Sequence, residues 1–429
     1  MKNYLKNSVI YQVFPRNFSK EGNFKGVSKK LEYIKELGAD IIQLTPICPI
    51  GEKNRKGILG SPYSIKDYNE INPEYGNWND FKKLLNKAHS LGLKVIIDIV
   101  YNHTSRDSKL LNEHPEWFYK NEKGEFANKL GDWSDVTDLD YTKKGLIDYL
   151  LNSLEKYLAF GVDGFRFDVA SLISKQLYFR IKNELLTKYP NTIMIAESVH
   201  ANFTLAARKL GFNALSDSEL FENGFDVLYE YNSREYFDNY LKDLDPFYFE
   251  KFKVTLHNEE SNNPEGNMRI RGYENHDTRR INELTSNKVL RRNILAFDTI
   301  LKGPLFVCMG LETKQDHHIG LFDKDLMNWH YDQEWFALVK KLIEIKKDEK
   351  NTHLLASEVS ENKGTYLLYK NYYDDSSYSY GLFNFSKKEQ TIKDENLLDG
   401  EYIDLISNNV ITVKDHTLTI KEPLILNVK

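Results

Sequence analysis

Gly164-Phe165-Arg166-Phe167-Asp168 is a run in which aromatic side chains alternate with charged ones. Read as a strand, its period of two puts Arg166 and Asp168 on one face and Phe165 and Phe167 on the other. Gly161 and Asp163 mark a turn just ahead of it. Charges on the inner face of a buried strand cost folding energy unless they satisfy one another. From these five residues alone two readings are open. One is a structural Arg–Asp ion pair; the other is an aspartate kept ionised by Arg166 and poised as a nucleophile or metal ligand. The flanking chain decides between them.

Upstream, Ile147, Leu150, Leu151, Leu154 and Leu158 predict a helix that ends at Gly161. Before it, Val95–Val100 (VIIDIV) reads as an apolar strand running into Tyr101-Asn102-His103. Earlier still come Val9–Phe14, a helix through Leu31, Ile34 and Leu37 stopped by Gly38, and the strand Ile41–Ile47. Asn79 is expected to cap a helix carrying Phe81, Leu84, Leu85 and Ala88. Downstream lie Thr192–Glu197, a sixth strand with its loop in Phe212–Leu220, a helical acidic stretch over 225–265, Met268–Tyr273, and Leu305–Met309. Nearly continuous apolar strands alternating with helices predict a parallel sheet covered on both faces. Eight such strands favour a closed (β/α)8 TIM barrel over an open sheet.

Residues 104–140 break the rhythm, with Trp117, Phe118, Tyr119, Trp133 and many Asp and Asn, and read as a short domain inserted after strand three. After Asp348 the texture becomes short alternating runs, expected as a C-terminal antiparallel β-sandwich. The expected organisation is therefore a catalytic barrel of 1–103 and 141–349, an inserted domain of 104–140 and a sandwich of 350–429.

The chain has 429 residues, 41% hydrophobic and 28% charged, enough to bury a large core. A net charge of −5 gives no electrostatic footprint for nucleic acid or an acidic membrane, so neither partner is expected. No run approaches the ~20 apolar residues needed to cross a bilayer. MKNYLKNSVIYQVF lacks the apolar centre of a signal peptide, so a cytoplasmic location is expected by default. Cys48 and Cys308 each sit in an apolar segment and are expected as buried thiols. Oligomeric state is not set by the sequence.

Four polar clusters fall at the C-terminal ends of four expected strands: Asp98 with Asn102 and His103, Arg166 with Asp168, Glu197, and Asn275-His276-Asp277. In a barrel these ends converge on one mouth, where active sites of this fold lie. Singly, each has a plain structural reading: Asp98 bonds a loop, Asn275 caps a turn, His276 is a satisfied core histidine. Together, three carboxylates at one mouth repel unless one stays charged beside Arg166 and another stays protonated. That division is what retaining glycosidases use; a divalent metal site is the competing use of three acids.

The chain resembles the α-amylase superfamily of glycoside hydrolases. The four ordered signatures appear as DIVYNH (Asp98–His103), GFRFD ending at Asp168, Ala196-Glu197, and ENHD ending at Asp277. LGADIIQLTPI (Leu37–Ile47), SPYSIKDY (Ser61–Tyr68), NPEYG (Asn72–Gly76), VTDLD (Val136–Asp140) and Gly310-Leu311-Glu312 support it. The resemblance covers essentially the whole chain. It implies that Asp168 is the nucleophile that forms a β-linked glycosyl-enzyme and that Glu197 is the acid/base. Asp277 would grip two hydroxyls of the distorted sugar, with Arg166 holding Asp168 charged. It further implies that His103 and His276 bond the sugar, that Tyr63 stacks on its ring, and that Asp98 and Asn102 are structural.

The sequence also departs from the pattern. Val169-Ala170-Ser171-Leu172 follow the nucleophile where secreted endo-acting amylases place a Lys-His pair, and Ser198-Val199-His200 follow Glu197. Asn102 stands where amylases have a calcium ligand, but 104–140 supplies no full set, so no cofactor is expected. Direct entry into strand one implies no N-terminal carbohydrate-binding domain. The expectation is a retaining enzyme acting on α-glucosidic bonds of short α-glucans or malto-oligosaccharides. An α-glucan transglycosylase of the same family is the alternative, and a catalytically inactive sugar-binding or scaffold homologue a third reading.

Overall fold

A computed structural model describes residues 2–131, 133–359, 366–373 and 377–428. Asp132 of the expected insertion, and residues 360–365, 374–376 and 429 of the expected sandwich, lie outside the described residues. Eight strands (Val9–Val13, Ile41–Leu44, Lys94–Ile99, Gly164–Phe167, Ile193–Ala196, Val227–Leu228, Met268–Arg269 and Leu305–Cys308) belong to one sheet. They follow in sequence order with the eighth beside the first, which is the strand order of a (β/α)8 barrel. By compactness the chain divides into Tyr11–Tyr229 with Ile319–Met327, and Met1–Ile10 with Glu230–His318 and Asn328–Lys429.

The first unit carries strands two to six, each pair parallel. Their residues are buried on both faces, as a parallel sheet covered by helices requires. Register positions the chemistry. Asp98 pairs with Arg166, and Phe167 pairs with Ala196, so Asp168 and Glu197 follow side by side at the strand ends. Helices start and stop as local chemistry dictates. Gly38 ends Leu31–Leu37 in a left-handed conformation. The cap of Trp78–Ser90 is Asn77, in a capping box with Asp80; the expected cap Asn79 lies inside the helix, its N–H donating to Asn77. His103–Ser105 pairs antiparallel with Val136–Asp138, closing the base of the insertion.

The expected sixth strand is corrected. Ser216 and Glu219 form a capping box that starts a helix over Asp217–Glu222, burying Leu220 and Phe221. The strand is Val227–Leu228, paired with Ile195 and Ala196. The apolar residues of 212–220 therefore serve a loop and a helix face.

In the second unit, strand seven is shorter than the expected Met268–Tyr273, continuing only as a parallel bridge from Arg271 to Leu305. The 225–265 stretch is helical over Tyr231–Asp243 and Pro246–Asn262. The C-terminal segment forms a six-stranded antiparallel sheet and a separate two-stranded one, sharing a core of Leu368, Leu382, Ile392, Ile420 and Leu426. Among the described residues no helix is long and apolar enough to cross a membrane. Cys48 and Cys308 are buried free thiols, and burial pushes the Cys48 thiol up to about 12.

Gly164 is where fold and site are most tightly joined. It pairs with Ile193, and a Cβ there would overlap the Ile193 carbonyl oxygen and lie 2.7 Å from the Ile193 Cβ. Gly164→Ala must separate the two strands that carry Asp168 and Glu197. The expected outcome is a loss of about 1–3 kcal/mol of stability, read by urea denaturation, with a fall in kcat.

Candidate active site

Arg166 is fully buried and stands at the centre of the acids in the first unit. Its Nη1 donates to Asp168 Oδ1 at 3.0 Å and to Asp98 Oδ2 at 3.3 Å. Its Nη2 lies 3.1 Å from Glu197 Oε2, an ion-pair distance without hydrogen-bond alignment. Burial alone would lower the pKa of this guanidinium, but Glu197 and Asp98 outweigh it and hold the charge firmly in place. One planar cation therefore faces the two carboxylates at the strand ends through separate nitrogens, and fixes their spacing.

Asp98 is engaged by neighbours of its own. Tyr63 Oη donates to its Oδ2 at 2.7 Å and Gln43 Nε2 to its Oδ1 at 2.8 Å. With Arg166 these donors surround a carboxylate that is 4% exposed. Tyr63 was read from the sequence as a ring that stacks on sugar; its hydroxyl is anchored to Asp98, and its ring lies 5.9 Å from Arg166. Tyr229, which the sequence did not single out, covers Arg166 at 5.3 Å.

Glu197 is tied to the strand beside it from three directions. Its N–H donates to the Phe167 carbonyl at 3.0 Å, and its carbonyl accepts from Ala170 N at 3.0 Å. Its Oε2 accepts from Val169 N at 2.8 Å. Asp168 and Glu197 are 7% and 8% exposed, so both carboxylates can be covered by a bound ring while remaining accessible to it.

His103 is buried, and its Nδ1 lies 3.1 Å from Asn102 Nδ2. The amide is the donor in that contact, which assigns the ring proton of neutral His103 to Nε2. Burial lowers the His103 pKa more than Asp138, Asp135 and the Tyr63 backbone raise it, so the ring is neutral near pH 7. Trp133 packs at 5.6 Å from it.

In the second unit His276 Nε2 lies 3.0 Å from Asp277 Oδ2, and Asp277 N donates to Asn275 Oδ1 at 2.8 Å. The turn is held from below by Glu274. Its carboxylate accepts from Arg280 Nη1 at 2.8 Å and from Ile281 N at 2.7 Å, a buried anchor that sequence reasoning missed. Asp277 is 47% exposed at its side chain, whereas His276 is buried.

Asn102 Oδ1 is buried without a hydrogen-bond partner among the described residues. Yet no group of three His, Cys, Asp or Glu among them could hold a metal ion. The Lys129 ammonium donates to the Leu139 carbonyl at 2.6 Å, and Leu139 N donates to the Asn102 carbonyl.

Comparison with known proteins places related chains beside this one. The family model described as "Alpha amylase, catalytic domain" matches residues 12–123 and 109–363, and that of the "Bacterial Alpha amylase C-terminal domain" matches 358–426. An α-amylase from Lactobacillus plantarum is 37% identical, covers 100% of both chains and superposes with a TM-score of 0.93. A maltogenic α-amylase from Thermotoga neapolitana is 27% identical over 99% of both chains, with a TM-score of 0.86. Among curated relatives, the trehalose-6-phosphate hydrolase of Bacillus subtilis (strain 168) is 31% identical over 41% of this chain, and the match spans 36% of that enzyme's length.

Proposed function

The chain belongs to the α-amylase family, and from that premise we propose that it is a retaining glycoside hydrolase. Its substrates are the α-glucosidic bonds of short α-glucans or malto-oligosaccharides, and its intermediate is a covalent glycosyl-enzyme. The observation that carries the reading is the sharing of Arg166 by Asp168 and Glu197 at adjacent strand ends. Asp168, held charged, attacks the anomeric carbon while Glu197 protonates the departing glycosidic oxygen; Glu197 then takes a proton from the incoming water. In the second unit, Asp277 and the adjacent His276 are the residues that would bond sugar hydroxyls. Neutral His103 offers a hydrogen bond to the sugar, and Tyr63 presents its ring to it. Arg166 acts on the substrate only through the carboxylates it orients. Relatives named for oligo-1,6-glucosidase and maltogenic activity support a substrate of this class.

The chemistry uses carboxylates alone, so neither metal nor other cofactor is required. Incubation with maltoheptaose in the presence of EDTA tests both points. Release of glucose and maltose at an undiminished rate is expected. Products longer than the substrate would assign transfer to an acceptor sugar, and loss of turnover reversed by a divalent cation would overturn the metal-free mechanism.

A further inference from the structure

The residue after the nucleophile is held in a conformation its side chain resists. Val169 has φ +44° and ψ +43°, the left-handed region where a β-branched residue is an outlier. Its side chain packs with Phe203 and Phe212 against Leu172, Ala207 and Ala214. That packing leaves the backbone strain unexplained. The hydrogen bonds of the same segment account for it. The turn aims Val169 N at Glu197 Oε2, 2.8 Å away, and lets Ala170 N reach the Glu197 carbonyl at 3.0 Å.

The two carboxyl oxygens of Glu197 are thereby made unequal. Oε2 receives the Val169 N–H and faces the Arg166 cation at 3.1 Å. A proton placed on Oε2 would confront a donor and a positive charge at once. We propose that the Val169 backbone N–H fixes which oxygen of Glu197 carries the catalytic proton: Oε2 stays an acceptor throughout, and the proton is held on and delivered from Oε1. The inference rests on the reading of Glu197 as acid/base. In the first step the proton passes from Oε1 to the glycosidic oxygen as the C1–O bond breaks and the bond from Asp168 to C1 forms. In the second, the water oxygen bonds to C1, the Asp168 ester bond breaks, and the water proton returns to Oε1. Val169 is a positioning residue; it touches the acid and not the reacting atoms.

Replacing Val169 by its α-hydroxy acid analogue exchanges the amide for an ester and removes this N–H while keeping the side chain. Because the donor favours the charged carboxylate, its loss is expected to move the basic limb of kcat/KM upward by about one pH unit, a tenfold change in the ionisation constant. Val169→Gly keeps the N–H and relieves the backbone while removing the side chain, so its basic limb stays where the wild type has it. An unmoved limb in the ester, or a limb that moves equally in Val169→Gly, overturns the proposal. A measurement on the unaltered enzyme guards against a variant that does not fold. With 15N-valine labelling, the Val169 amide proton is expected to titrate with the midpoint of the basic limb and to cease doing so in Glu197→Gln; a pH-independent signal contradicts the assignment. Failure of the underlying reading looks different: Glu197→Gln would then cleave substrates with poor leaving groups at the wild-type rate.

Discussion

Asp168→Ala is expected to lower kcat on maltoheptaose by about 10⁴-fold or more, because the proposed mechanism gives the bond to the anomeric carbon to this carboxylate. Arg166 keeps Asp98 and Glu197 as counter-charges in this variant, so the fold survives and the loss is chemical. The space left by the carboxylate sits against the Arg166 Nη1 that had faced it. A small anion such as azide at molar concentration should enter there and restore turnover, yielding a glucosyl azide of inverted configuration. Circular dichroism of the variant and the anomeric configuration of the rescued product check the two halves of this expectation. Wild-type turnover by Asp168→Ala would remove Asp168 from the mechanism.

The second large effect is on stability. Arg166→Met removes a cation that faces Asp98, Asp168 and Glu197 from a fully buried position. Breaking a buried ion pair by removing one partner costs about 3–5 kcal/mol, since the remaining charges keep their desolvation penalty. Asp98 retains the Tyr63 and Gln43 donors, so the lost cation is felt mainly at the two strand-end carboxylates. Protonating them relieves the repulsion. The folded variant therefore binds protons more readily than the folded wild type, and the stability gap between the two narrows as pH falls. Urea denaturation at neutral and acidic pH measures the gap; a difference that is constant with pH would mean that packing, not charge, is what was lost. Arg166→Lys is not a conservative control, because a point charge cannot present separate nitrogens to two carboxylates.

The strand bearing Arg166 and leading into Asp168 was legible because its alternation leaves one way to sort charges from aromatics, and the structure places it as Gly164–Phe167. The fold class followed from the count of apolar strands. The sixth strand was not legible: two residues, Val227 and Leu228, carry no periodicity, while Phe212–Leu220 offered a longer apolar decoy. The S-x-x-E spacing of Ser216 and Glu219 was the available signal that a helix begins there. Asp98 was marked as a strand-end acid, but its donors Gln43 and Tyr63 stand 55 and 35 residues away and have no local signature. The Glu274–Arg280 anchor under the Asp277 turn escaped for a similar reason, since a charged pair six residues apart in a turn reads as surface. The conformation of Val169 was the least accessible of all. Valine predicts extended backbone, and only the demands of Glu197 in the next strand reverse that preference.

Trapping of the glycosyl-enzyme is the decisive measurement. Incubation with a fluorinated α-glucosyl fluoride, whose slow second step lets the glycosyl-enzyme accumulate, should be followed by proteolysis and peptide mass spectrometry. One glycosyl adduct is expected, carried by the peptide of Gly164–Asp168 and localised to the Asp168 carboxylate. An adduct on another residue, or turnover with inverted product and no adduct, would contradict this expectation.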